Sequence, residues 1–236
     1  MSVKVTELSI AYRTRAGDVC PVDKVGFSVA DGEIMGLAGE SDCGKSTLGN
    51  SLVFMEGRMR HLGGRVELDG QELPIADSRA MRPYRMTKVS LVPQYAMSAL
   101  NPTRRISKLT TDLLRSHGVH DSSVMAEMKR RLDLVGLSAD VLDRYSFELS
   151  GGMRQRVTII LSTLLNPSLL IADEVTSALD VSTQRAVGEM LLEFRDRGFV
   201  KSVIAITHDL SILAQIADRS TRFPSSTGPV PSAAAA

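Results

Sequence analysis

The stretch Gly39-Glu40-Ser41-Asp42-Cys43-Gly44-Lys45-Ser46-Thr47 has the spacing G-x-x-x-x-G-K-[ST]. Those residue types suit the binding of a polyphosphate. Gly39 and Gly44 let backbone amides approach phosphate oxygens, and a helix opening near Lys45 aims its first N–H groups at them. Lys45 reaches the β- and γ-phosphates. The Ser46 hydroxyl suits Mg²⁺, and Thr47 an inner phosphate. Asp42 is the discordant residue, an acid where a polyphosphate should lie.

A glycine turn capping a helix would match the same pattern, so context decides. The run Ile34-Met-Gly-Leu-Ala38 predicts a buried strand leading into the loop, and Lys45 to Phe54 predicts a helix leaving it. Further on, Leu169-Leu-Ile-Ala-Asp-Glu174 is an apolar strand that ends in two acids. In open α/β sheets that end is where ligands sit. Asp173 is placed to hold Mg²⁺, directly or through water, and Glu174 to act as general base on an attacking water. Between these elements, Leu149-Ser-Gly-Gly-Met-Arg-Gln-Arg156 puts two glycines at a helix entrance, a second anion-binding turn.

Other elements must position these groups. Val3 to Ile10, Val25 to Val29, Arg65 to Gly70, Val89 to Val92 and Ser202 to Thr207 read as strands, and Val181 to Arg197 as a helix. From about residue 96 to 165 apolar residues recur at helical spacing, as in Val124 to Val135, which predicts a helical subdomain. Strands alternating with helices imply an α/β fold with a largely parallel sheet. Residues 220–236, rich in Pro, Ser and Ala, predict a disordered tail after a domain over 1–219. The 236 residues are enough for one large domain with a subdomain. A formal net charge of +1 gives no global field toward nucleic acid or an acidic membrane. The two cysteines, Cys20 and Cys43, do not make a disulfide framework and fit a reduced compartment. No apolar run is long enough to span a membrane.

The order of phosphate loop, Gln94, LSGGMRQR, LLIADE, SALD and His208 resembles the ATPase subunit of an ATP-binding cassette transporter, over roughly residues 3 to 219. The resemblance implies a P-loop nucleoside triphosphatase (NTPase) core with a mostly parallel sheet, N-terminal antiparallel strands and a helical subdomain. It implies ATP and Mg²⁺ as cofactors. Tyr12 matches the aromatic that stacks on adenine. Gln94 matches the glutamine that senses the γ-phosphate and Mg²⁺ and connects to the transmembrane partner. Ser150, Gly151 and Gly152 match the signature that binds ATP held by the opposite subunit. Asp180 matches the loop that crosses the dimer interface, and His208 the switch histidine at the γ-phosphate. The partners implied are transmembrane permease subunits, a second ATPase subunit in a homo- or heterodimer, and indirectly an external solute-binding protein, without nucleic acid. The location implied is peripheral, on the cytoplasmic face of the membrane.

Val92-Pro-Gln-Tyr-Ala-Met-Ser-Ala-Leu-Asn-Pro102 is similar to the di- and oligopeptide importer branch, which also includes nickel, glutathione and oligosaccharide importers. Three positions depart from the pattern. Asp42 replaces a glycine, Val175 replaces a proline, and residues 219–236 do not resemble the strand and extension that follow in the family. For Asp42 the backbone cost is about 1 kcal/mol if the loop needs φ > 0. A carboxylate about 6 Å from a phosphate charge adds roughly 3 kcal/mol of repulsion at an effective dielectric of about 20, and under about 1 kcal/mol where solvent screens it. The expectation is an outward Asp42 and a weakened hold on ATP. An impaired or truncated cassette, and a soluble cassette without a transport role, stand as alternatives.

Overall fold

The computed structural model describes residues 2–15, 17–40, 43–94, 99–120, 123–176 and 180–223. Ser41, Asp42, residues 95–98 of the importer-like motif, residues 177–179 of the SALD motif and residues 224–236 lie outside them.

Two sheets organise the chain. The first is antiparallel, from β1 (Val3–Thr14), β2 (Gly17–Val29), β4 (Met59–Leu68) and β5 (Gln71–Glu72), in the order β2-β1-β4-β5. The second is parallel. It contains β3 (Ile34–Ala38), β6 (Val89–Val92), β7 (Leu169–Asp173), β8 (Ser202–Ile206) and β9 (Arg219–Arg222), in the order β6-β7-β8-β3-β9.

Apart from the edge strand β9, the parallel strands are buried on both faces, and their side chains divide alternately between two cores. Leu170, Ala172, Val203 and Ala205 point into a core shared with α2 (Ile106–Ser116), α3 (Ser123–Leu134), α4 (Gly151–Thr163) and α5 (Val181–Asp196). Leu169, Ile171, Ile204 and Ile206 point into a core closed by the antiparallel sheet and by Leu48 and Leu52 of α1 (Lys45–Ser51). The parallel sheet is thus the middle layer of three, and α1 is enclosed between the two sheets.

Besides α1, which stops at Ser51 rather than Phe54, and β1, which runs on to Thr14 rather than Ile10, three elements differ from the sequence reading. β2 begins at Gly17 rather than Val25 and carries Pro21 inside it. Pro21 is tolerated because β2 is an edge strand, where one N–H faces outward. β4 begins at Met59, six residues before the predicted start, and its pairing with β1 shifts register where Ser9 meets Gly63. The third is β9. Residues 220–222 fell in the predicted disordered tail, yet Arg219–Arg222 pairs in register with Met35–Ala38. Its strand state comes from hydrogen bonds to β3 and not from its own pattern, since three of its four residues are exposed.

Buried Arg131 joins the helical layer to the turn before β7. Its guanidinium donates to Thr163 O at 2.7 Å, Asn166 Oδ1 at 2.6 Å and Glu127 Oε1 at 2.6 Å. It also lies 3.9 Å from the Phe199 ring centre.

Candidate functional site

Parallel strands deliver their C-terminal ends to one edge of the sheet, and strand order decides which loops meet there. β7 lies between β6 and β8, so the residue after β7 falls between the residues after its neighbours. Glu174 follows β7. Its Oε2 accepts from Gln94 Nε2 at 2.6 Å, and its Oε1 lies 3.2 Å from His208 Nδ1. Three residues far apart in sequence are assembled by topology alone.

Glu174 has a φ of 45°, uncommon for a non-glycine residue. Its N–H donates to Ile206 O at 2.8 Å, which ties the turn to β8.

On the other side of β8, β3 ends at Ala38 and opens into the phosphate loop. Gly44 caps α1 with a φ of 107°. A Cβ there would lie 2.2 Å from Pro21 O, so only glycine fits. The N–H groups of the first turn of α1 have no intrahelical partner and are available to an anion. Lys45 is buried, and its Nζ donates to Gly39 O at 3.0 Å and to Glu40 O, with Cys43 Sγ 3.6 Å away. Ser46 Oγ donates to Asp173 Oδ1 at 3.1 Å across the gap between α1 and β7.

Burial lifts the Asp173 carboxyl from 3.8 to about 6. The Ser46 hydrogen bond opposes the rise, the Glu174 charge adds to it, and Lys45 opposes it. Ser46 and Asp173 offer two hard oxygens, which suits a Mg²⁺ ion whose other ligands are phosphate and water. Among the described residues there is no group of three or more His, Cys, Asp or Glu that would hold a metal by itself.

Tyr12, Pro21, Gly44, Lys45, Ser46, Thr47, Gln94, Glu174 and His208 line one cleft of about 370 Å³ together with Val19. Tyr12 sits opposite Val19 and Met59 in the antiparallel sheet, and its hydroxyl hydrogen-bonds Thr47. Burial raises the Tyr12 hydroxyl above the ordinary tyrosine value, against the Thr47 bond and with the Glu56 charge. The aromatic residue therefore both pairs across the sheet and reaches the cleft. Gly39, Glu40 and Cys43 line a neighbouring hollow on the flank of the loop, with His208 shared between the two. Asp173 lies beneath the cleft, 3% exposed.

Ser150, Gly151, Gly152 and Asp180 are not among the residues lining this cleft. They stand at the N-termini of two other helices. Ser150 caps α4, accepting from Met153 N at 3.3 Å. Asp180 caps α5, with Oδ1 accepting from Thr183 N at 2.9 Å and Oδ2 from Thr183 Oγ1 at 2.8 Å. The Ser182 hydrogen bond, followed by those from Thr183, holds the Asp180 carboxyl well below the usual carboxylate range.

Sequence reasoning missed Pro21 and Val19, which reach the cleft through β1–β2 pairing. It also missed Gln155, buried on α4, whose Nε2 donates to Val175 O at 2.7 Å. No spacing rule signals contacts between elements so far apart.

Residues 22–177 match the family described as ABC transporter. The chain is 35% identical over 220 residues to the oligopeptide transport ATP-binding protein OppD of Salmonella typhimurium, covering 92% of this chain and 65% of that protein. It is 34% identical to the dipeptide transport ATP-binding protein DppD of Caldanaerobacter subterraneus subsp. tengcongensis, over 92% of this chain and 68% of the relative. It is 36% identical to a putative peptide import ATP-binding protein of Brucella abortus, over 97% and 71%. The chain thus spans about two thirds of the length of these relatives. A dimeric ATP-binding cassette solved in a post-hydrolysis state with ADP and Pi superposes with a TM-score of 0.78 at 23% identity, covering 93% of both chains. That likeness establishes the fold.

Proposed function

The chain belongs to the ABC transporter family, and from that premise we propose that it is an ATP-hydrolysing subunit that powers import of peptides or related small solutes. The observation that carries the reading is Glu174, held at both oxygens by Gln94 and His208, beside the cleft that Lys45 and Ser46 enter.

The residues divide the work. Phosphoryl transfer needs mainly positioning and charge stabilisation. Gly44 and the first turn of α1 receive phosphate oxygens, and Lys45 exchanges its bonds to Gly39 O and Glu40 O for the β- and γ-phosphates. Tyr12 stacks on adenine. Ser46 and Asp173 would hold Mg²⁺, which when bound neutralises charge on the transferred phosphoryl group. Glu174 accepts a proton from the attacking water. Gln94 and His208 fix the direction of its carboxylate, and His208 also meets the γ-phosphate. Ser150, Gly151 and Gly152 serve the ATP of a second ATPase subunit, with Asp180 at the boundary, so the working unit is a homo- or heterodimer. Among the described residues no helix is long and apolar enough to cross a membrane. In this reading, attachment to the cytoplasmic face goes through permease subunits. An external solute-binding protein acts only indirectly, and nucleic acid has no part.

Asp42 supplies the observation for a second reading, a cassette with an impaired grip on ATP. One experiment addresses both. Mg-ATP affinity and turnover are measured for the purified chain, Glu174→Gln and Asp42→Gly. The proposal expects binding with slow turnover, which Glu174→Gln removes without loss of affinity. Asp42→Gly is expected to tighten ATP by about tenfold, between the solvent-screened and unscreened limits of the repulsion estimated above. No binding by the natural chain, restored by Asp42→Gly, would support the impaired reading. No binding by either overturns the proposal.

A further inference from the structure

Two glutamines converge on the segment that follows Glu174. Gln155, 2% exposed on α4, donates Nε2 to Val175 O at 2.7 Å. Gln184 on α5 donates Nε2 to Thr176 O at 3.1 Å. Consecutive carbonyls are thus each held by an amide from a different helix. These are the helices whose N-termini carry Ser150 and Asp180. The two helix entrances also touch, since a Cβ on Gly152 would lie 3.1 Å from Thr183 Cγ2.

The segment needs holding. Glu174 sits at a φ of 45°, a conformation a non-glycine residue keeps only when its surroundings impose it. Its N–H is fixed to Ile206 O on the β8 side. Val175 has no ring to fix its φ. Buried carbonyls without a donor are costly, so the two amides also satisfy acceptors that water cannot readily reach.

We infer that Gln155 and Gln184 are positioning residues that couple the entrances of α4 and α5 to the orientation of the Glu174 carboxylate. The coupling rests on the ATPase reading above. A shift of the α4 entrance is passed through one amide to the Val175 carbonyl, next to Glu174, and a shift of the α5 entrance to the Thr176 carbonyl, one residue further on. Signature and base then move as a unit, and turnover follows the seating of the opposite subunit.

The test uses the full chain with Gln155→Met and Gln184→Met, which keep side-chain length and remove the donor. ATP turnover, KM, melting temperature and amide exchange over residues 169–176 are measured. Gln155→Met is expected to lower kcat by about tenfold with KM within about twofold, as a misdirected catalytic group would. Exchange should quicken at 174–176 and stay unchanged within β7. Phe194→Leu, a core change in α5 remote from the cleft, controls for lost stability and should leave kcat within about twofold at a comparable drop in melting temperature. A Gln155→Met chain with unchanged kcat, or with raised KM alone, overturns the inference. A wild-type chain without turnover defeats the ATPase reading instead, and exchange then decides: unchanged protection at 174–176 in Gln155→Met overturns the clamp.

Discussion

Replacing Asp173 with Asn is expected to make the Mg²⁺-free chain more stable while removing its hold on the metal. Burial shifts the Asp173 carboxyl from 3.8 to about 6 in the folded chain. A carboxyl with a raised folded value favours the fold while it is protonated. Its contribution is complete below 3.8 and is lost as pH climbs through 6. The loss equals 2.303RT times the shift, about 3 kcal/mol by pH 8, about 1.5 at pH 5 and about 0.5 at pH 4. Asn carries no charge at any of these values and can still accept from Ser46. The stability difference between variant and wild type should therefore trace that curve. Urea denaturation of both chains in EDTA at pH 4, 5, 6.5 and 8 measures it. At pH 8 the variant should also melt about 6–12 °C higher. A difference that stays flat with pH, or an Asn variant that is less stable at pH 8, would falsify the claim that a charged Asp173 is strained by burial. On the proposed reading, in which Asp173 would hold Mg²⁺, protons would compete for the same oxygens, so Mg²⁺-dependent ATP binding should weaken below pH 6, and Asp173→Asn should lack it throughout.

Two further outcomes are expected. Arg131→Ala removes the donor to Thr163 O, Asn166 Oδ1 and Glu127 and the contact with Phe199, and empties a buried site, although Asn166 N–H still pairs Thr163 O and Arg130 still holds Glu127. The cost should be about 2–3 kcal/mol in urea titration, from lost hydrogen bonds to a charged group and lost packing, and a loss under about 1 kcal/mol would refute the role given to that network. Gly44→Ala places a methyl group 2.2 Å from Pro21 O at a φ of 107°. It should weaken ATP binding at least about tenfold while the far-ultraviolet spectrum stays native, because strain of about 1–3 kcal/mol falls on the loop itself. Unchanged affinity by titration calorimetry would mean that the loop relaxes freely.

The sequence was most legible where strands are buried on both faces. β3 and β6 were read to the residue, and β7 and β8 to within one, because a short apolar run bounded by turn residues has few other uses. β9 was illegible because Arg-Ser-Thr-Arg is extended only by virtue of its partner. β2 was half legible, since Pro21 and the charges around it hide an edge strand. In the site, residues at strand ends were found by motif and order. The Thr47 bond to Tyr12 and the Gln155 bond to Val175 O join elements whose separation in sequence carries no period.

The strand order β6-β7-β8-β3 also dictates when, during synthesis, the site can exist. A nascent chain that has emerged as far as Glu174 already carries the phosphate loop and both carboxylates. It lacks the strand that lies between them. Ile34 pairs with Val203, and Ile171 with Ile204, so β3 and β7 meet only through β8. Closing that span is costly in chain entropy, and the reward arrives late. The Ser46 bond to Asp173 therefore waits for residues 202–206 to leave the ribosome. A half-made chain lacks the assembled cleft proposed to hold nucleotide, and β8 is the keystone whose insertion turns two separate motifs into one cleft.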